Sequence, residues 1–204
     1  MHPRTIELLL RLGVGPKELQ HVNSPVFHSI PHDPTGYGLI GGTGAVKTSQ
    51  IVRRLAEEID AFVTSQAEPD KAGLPVGYHW PYVRWVDWPV RAEFLKRMSA
   101  MSCHKEIDLY ISEWKKTGIL VLDDIGQERI SSERDYALGV LGEVLDTRYR
   151  FGLPIFWTSN LEPEQLIGKY GSRLMSRLFE VSPFIKVDSK DQRLKNRKRP
   201  PKAT

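Results

Sequence analysis

Residues 119–126 read ILVLDDIG, an unbroken apolar run from Ile119 to Leu122 that ends on two adjacent carboxylates, Asp123 and Asp124. A strand apolar at every position is buried on both faces, which requires a parallel sheet covered by helices on each side. The two acids sharpen the constraint. A buried carboxylate is costly unless it is paired or bound to a metal ion. A chain that ends a buried strand on two of them therefore calls for a cation there.

The rest of the chain alternates in the same way. A short apolar run spans Tyr37 to Ile40, and helical spacing follows at Ile51, Val52, Leu55 and Ile59. Tyr82 to Asp87 reads as a strand, and Pro89 opens a helix carrying Val90, Phe94, Leu95 and Met98. A second helix is expected over roughly Glu106 to Lys116, and a long one from about Glu133 to Arg150. PIFWTSN at 154–160 is another buried strand, short helices fall between Leu161 and Leu178, and Phe184 to Asp188 is a last strand. This predicts a three-layer α/β sandwich with a mostly parallel sheet. At 204 residues the chain is long enough for one good-sized core. Residues 1–35 are expected to hold a short helix, with Ile6, Leu9, Leu10 and Leu12 as its apolar stripe, and a connecting segment.

Ligands in such sheets sit at the carboxyl ends of the strands. After Ile40 comes GGTGAVKTS: Gly41, Gly42, Thr43, Gly44, Ala45, Val46, Lys47, Thr48 and Ser49. Its spacing is that of a phosphate loop, Gly, four residues, one more, then Lys and Thr. Backbone N–H groups at a helix N-terminus converge on one concavity, and the helix dipole favours an anion there. Lys47 would set its ammonium against the β- and γ-phosphates of ATP, and Thr48 would offer its hydroxyl to Mg²⁺. Val46 stands where the pattern has glycine, so a β-branched side chain crowds the approach of backbone to phosphate. Weak nucleotide binding and slow hydrolysis are expected. Asp123 suits Mg²⁺, directly or through water, and Asp124 is placed to polarise the attacking water. Asn160, closing the third strand, would hold the water or the γ-phosphate, or would cap the helix that starts near Pro163.

Taken in order, GGTGAVKTS, ILVLDDIGQER, LDTRYRFGLPIFWTSNL and GSRLMSRLFE resemble the AAA+ core of DnaC-type helicase loaders and IstB-type transposition ATPases. The resemblance runs from about residue 36 to 193. It implies a P-loop NTPase (AAA+) core over 36–193, with no separate lid domain evident. Asn160 then matches sensor 1, and Arg193 in DSKDQR matches the sensor 2 arginine. Arg177 in MSRLF matches the arginine finger that reaches a neighbouring subunit's nucleotide, with Arg173 one turn before it. The implied partners are a replicative helicase or a transposase, single-stranded DNA, and further copies of the chain. A nucleotide-binding scaffold without hydrolysis is the alternative that Val46 raises.

Other features set limits. The one cysteine, Cys103, allows no intrachain disulfide, which fits a reducing cytoplasm. The apolar N-terminal run is broken by Glu7 and Arg11, so neither a signal peptide nor a membrane span is expected. The net charge is +4, and Lys190, Arg193, Lys195, Arg197, Lys198, Arg199 and Lys202 crowd the end. Residues 194–204 read as a basic, disordered tail, either simply solvated or suited to a polyanion. The aromatic stretch YHWPYVRWVDW could stack bases, although core packing is the better expectation for Trp85. The six histidines show no metal-ligand spacing.

Overall fold

The structure, a computed structural model, describes residues 3–11, 14, 16–19, 36–43, 47–65, 83–130 and 135–187. Five strands, β1 (Gly38–Ile40), β2 (Val83–Asp87), β3 (Ile119–Ile125), β4 (Ile155–Ser159) and β5 (Phe184–Lys186), form one sheet in the order β2-β3-β4-β1-β5. Every pairing among them is parallel. The sandwich predicted from the apolar runs is therefore present. Alternate strand residues feed two separate cores. Leu39, Val121 and Phe156 face α1 (Pro3–Arg11), α2 (Pro16–Leu19) and α3 (Lys47–Ser65). Ile40, Leu120, Leu122, Ile155 and Trp157 face the other way. They pack under α4 (Trp88–Ala100), α5 (His104–Lys116), α6 (Tyr136–Phe151), α7 (Pro163–Tyr170) and α8 (Ser172–Val181).

Local chemistry sets where these helices begin and end. Asp87 accepts from the Val90 amide at 3.3 Å to cap α4, and Pro89 sits in its first turn. Asp135 caps α6 through Ala137, and Gly152 ends that helix. The phosphate-loop strand has its own requirement. A Cβ at Gly38 would lie 2.0 Å from the Trp157 ring, so only glycine lets β1 lie beside β4 there.

Some boundaries differ from the sequence reading. α5 starts at His104, two residues early, and β5 ends at Lys186. α1 forms, and its expected apolar stripe faces the core only in part, with Leu12 outside the described residues. Leu9 is buried, whereas Ile6 and Leu10 are 45% and 46% exposed. The buried partner of Leu9 is Thr5, which donates to Asp60 on α3 at 2.8 Å. The core-side face of α1 thus carries a satisfied polar contact as well as a leucine. Residues 16–19 of the expected connecting segment are helical. Among the described residues no helix is long and apolar enough to cross a membrane.

Candidate functional site

The strand order puts β4 between β1 and β3, so the phosphate-loop strand and the acid strand are second neighbours. Asn160, just past β4, sits between their ends. Its Oδ1 accepts from Lys47 Nζ at 2.7 Å, and its Nδ2 points to Asp124 Oδ1 at 3.5 Å. One amide therefore bridges the two halves of the site. A capping role for Asn160 is excluded, because Glu162 caps α7 through a capping box with Gln165.

The acid pair is re-aimed by a β-bulge. Leu122 pairs with Trp157 and Ile125 with Ser159, so β3 spends one residue more than β4 over this interval. Asp123 and Asp124 share Thr158 as their counterpart. In a regular strand two consecutive side chains point to opposite faces. Here Asp124 adopts φ +58°, a left-handed conformation that aspartate tolerates better than most residues. The buried Thr158 hydroxyl serves both acids. It donates to Asp123 Oδ1 at 2.6 Å and accepts from the Asp124 amide at 2.8 Å. Sequence reasoning misses Thr158 as a site residue. The sign of it is a hydroxyl residue in a strand buried at every position.

Thr48, in the first turn of α3, donates to Asp123 Oδ1 at 3.0 Å. The expected cation pair, Thr48 and Asp123, is thus in direct contact. Burial, with Asp124 and Asp87 adding negative charge, raises the Asp123 carboxyl from 3.8 to about 6; bonds from Thr158 and Thr48 hold it lower than burial alone would. A hard divalent ion bound by that carboxylate and hydroxyl would relieve the same desolvation, so the residues present fit Mg²⁺. Lys47 is 5% exposed, and its ammonium donates to the carbonyls of Gly41 and Gly42 at 2.8 and 3.1 Å besides Asn160. A Cβ on Gly42 would meet nothing within 4 Å, so the space beside Gly42 is open.

The other expected site residues separate into two groups. Thr43 is an exposed turn residue and Ser49 lies half-buried in α3. Gly44, Ala45, Val46 and Arg193 lie outside the described residues, as do the tail from 188 onward and residues 78–82 of the aromatic stretch. Trp85 of that stretch packs partly buried against the α3-side core. Arg177 does not join the cluster. It projects from α8 and forms an ion pair with Asp146 of α6. Arg173 is exposed on the same helix. A further cation gives no signal in the sequence. Arg148 is fully buried and donates to the carbonyls of Trp114, Thr117 and Gly118, where α5 leads into β3, and of Pro154 ahead of β4. Burial lowers its pKa to about 10, which leaves it charged at neutral pH. It sets the starts of the two strands whose far ends carry the site.

This fold, an all-parallel sheet with a glycine loop after β1 and two acids near the end of β3, is that of the AAA+ P-loop ATPases. Among solved structures the chain is similar to the DnaC helicase loader, with a TM-score of 0.55 and 17% identity over 92% of each chain. It is also similar to replication initiator DnaA bound to AMPPCP and single-stranded DNA, with a TM-score of 0.53 and 17% identity. That likeness covers 90% of this chain and 46% of that one. In sequence the chain is similar to the replicative helicase loader DnaI of Bacillus subtilis (strain 168), 29% identical over 114 residues. The match takes in 50% of this chain and 36% of that relative's length. The resemblance to the DnaC-type helicase-loader group thus holds in sequence and in fold. No protein-family model matches the chain.

Proposed function

We propose that this chain binds ATP with Mg²⁺ at the joined ends of β1, β3 and β4. It hydrolyses the nucleotide in assemblies of several copies, and uses the cycle to load a replicative helicase onto single-stranded DNA in the cytoplasm. The observation that carries the reading is the Asn160 bridge, which ties a buried phosphate-loop lysine to the acid pair. The helicase partner is drawn from the DnaI and DnaC relatives and the DNA partner from the DnaA structure. These relatives are replication proteins, which leaves the transposition reading without support.

Each residue has a task. Lys47 exchanges its carbonyl partners for phosphate oxygens. Thr48 and Asp123 hold the metal ion, which when bound neutralises charge on the triphosphate. Asp124 orients and polarises the attacking water, and Asn160 steadies that water or the γ-phosphate from the β4 side. Arg193 contacts the nucleotide as a sensor. Arg177 acts on a neighbour's nucleotide, because a guanidinium supplied in trans stabilises the transferring phosphoryl group, an effect of ~10³–10⁵ in rate.

Subunit mixing tests the shared site. Arg177→Ala and Asp124→Asn proteins, each inactive alone, are expected to regain turnover when mixed, since some interfaces then pair an intact Asp124 with an intact Arg177. No recovery despite demonstrated co-assembly would refute catalysis in trans. A second reading, a binding scaffold without hydrolysis, rests on Val46. Nucleotide binding without turnover, in the presence of helicase and single-stranded DNA, would favour it. For DNA, removal of residues 194–204 should flatten the log–log salt dependence of single-strand binding by roughly 0.7 for each phosphate that the tail had neutralised. An unchanged slope would leave the tail as solvated charge.

A further inference from the structure

Glu128 is a buried carboxylate to which the proposed chemistry gives no task; it is 7% exposed. It lies four residues past Asp124, on the turn that leaves β3. Its Oε2 accepts from the Gly126 amide at 3.0 Å, and its Oε1 accepts from the Tyr170 hydroxyl. Lys169 Nζ lies 3.8 Å from Oε1 and donates to the backbone carbonyls of Gly126, at 2.7 Å, and of Glu128. The last turn of α7 therefore grips both ends of the three-residue turn 126–128.

Simple core packing does not account for this arrangement. Buried ion pairs are often replaceable by apolar residues of similar volume with no loss of stability, so packing alone does not require a glutamate here. The backbone beside it does require restraint. Asp124 has φ +58° and Gly126 φ +101°, two left-handed positions flanking Ile125. A Cβ at Gly126 would lie 2.7 Å from Leu161. Such conformations persist only when their surroundings over-determine them, and they collect at functional sites. Thr158 restrains the turn from the β4 side, at the Asp124 amide. The Glu128 group restrains it from the α7 side, at Gly126.

We propose that Glu128 is a positioning residue: with Tyr170 and Lys169 it clamps turn 126–128 to α7 and thereby holds Asp124 in the orientation that water activation needs. This rests on the ATPase reading above. Supporting residues of this kind typically change activity by about 10–100-fold when altered.

The test compares Glu128→Gln and Tyr170→Phe with the parent in nucleotide Kd, in kcat and in thermal midpoint. Tyr170→Phe keeps the carboxylate and removes one donor, so it serves if Glu128→Gln folds poorly. Leu145→Ala, a core change in α6, supplies a destabilised control. Glu128→Gln should lower kcat about 10-fold with Kd within about 2-fold, Tyr170→Phe less. The double variant should lose less than the product of the two. Overturning results are kcat per folded molecule equal to the parent's, as in the control, or a fall in kcat matched by a loss of binding. If Asp124→Asn also keeps full kcat, or the parent shows no turnover, the ATPase reading itself has failed and the proposal falls with it.

Discussion

The ends of β3 and β1 lie along one edge of the sheet, yet they are built by different means. At the β3 end side chains do the work. Asp123 and Asp124 are held by Thr158 from the next strand, across the bulge that presents both. At the β1 end backbone and side chains share the contacts: Lys47 is bonded to the carbonyls of Gly41 and Gly42 and to Asn160, and Thr48 to Asp123. On the proposed reading, the β3 end is preorganised for chemistry. Lys47, on the same reading, exchanges its carbonyl partners for phosphate oxygens. Changes at the β3 end should therefore appear in turnover, and changes at the β1 end in affinity.

The largest expected effect separates the two halves most cleanly. Asp124→Asn should lower kcat by about 10²–10⁴-fold, the usual range for losing a group that acts on a proton in the transition state, with nucleotide affinity nearly unchanged. Lys47→Ala should instead weaken binding by about 100-fold, as expected when a charged, largely desolvated donor to phosphate is removed. Equilibrium titration and steady-state rates on both variants check the contrast. Similar losses of affinity in the two would erase the distinction.

The next effect concerns pH. Asp123 is raised from 3.8 to about 6 in the folded chain, chiefly by burial. Between about pH 4 and pH 6 the folded state therefore keeps a proton that the unfolded chain has lost. Stability should fall as pH rises through that window and then level off. Asp123→Asn should remove this segment of the pH dependence and stabilise the metal-free protein at pH 7 by about 1–3 kcal/mol. Denaturant unfolding at pH 4 and pH 7 measures it, and parallel curves for parent and variant would contradict the buried-acid account. Mg²⁺ competes with the same proton, so its affinity should drop below about pH 6.

The smallest effect lies in the phosphate loop. Val46→Gly should tighten nucleotide binding a few-fold, about 1 kcal/mol, by removing a β-branched side chain beside the phosphates. Turnover at saturating nucleotide should change less than affinity does. Tighter binding by the Val46 form would mean that this loop accommodates the side chain.

How much of this was legible in the chain depends on the reach of each interaction. The apolar runs predicted every strand of the sheet to within two residues, because burial on both faces leaves an unbroken apolar run in the sequence. Lys47, Thr48 and Asp123 were also readable, since a glycine-rich turn before a helix and acids after a buried strand are local patterns. The orientation of α1 was not, because its buried polar contact, Thr5 to Asp60, joins residues 55 apart in sequence. Arg148 and Glu128 were not legible at all. A charged residue in a polar-looking stretch carries no sign of burial until its partners, far off in sequence, are known.

The order of buried runs and strand-end polar residues was enough to specify a parallel α/β sheet, a glycine-rich segment leading into a helix and a partner strand ending in acids, since each depends on neighbouring residues alone. Tertiary structure decided how they meet. Placing β4 between β1 and β3 puts Asn160 in reach of both Lys47 and Asp124, and opposing Thr158 to two acids turns consecutive side chains toward one site. Strand order and register are properties of hydrogen bonds between segments distant in sequence, so no local pattern could have reported them.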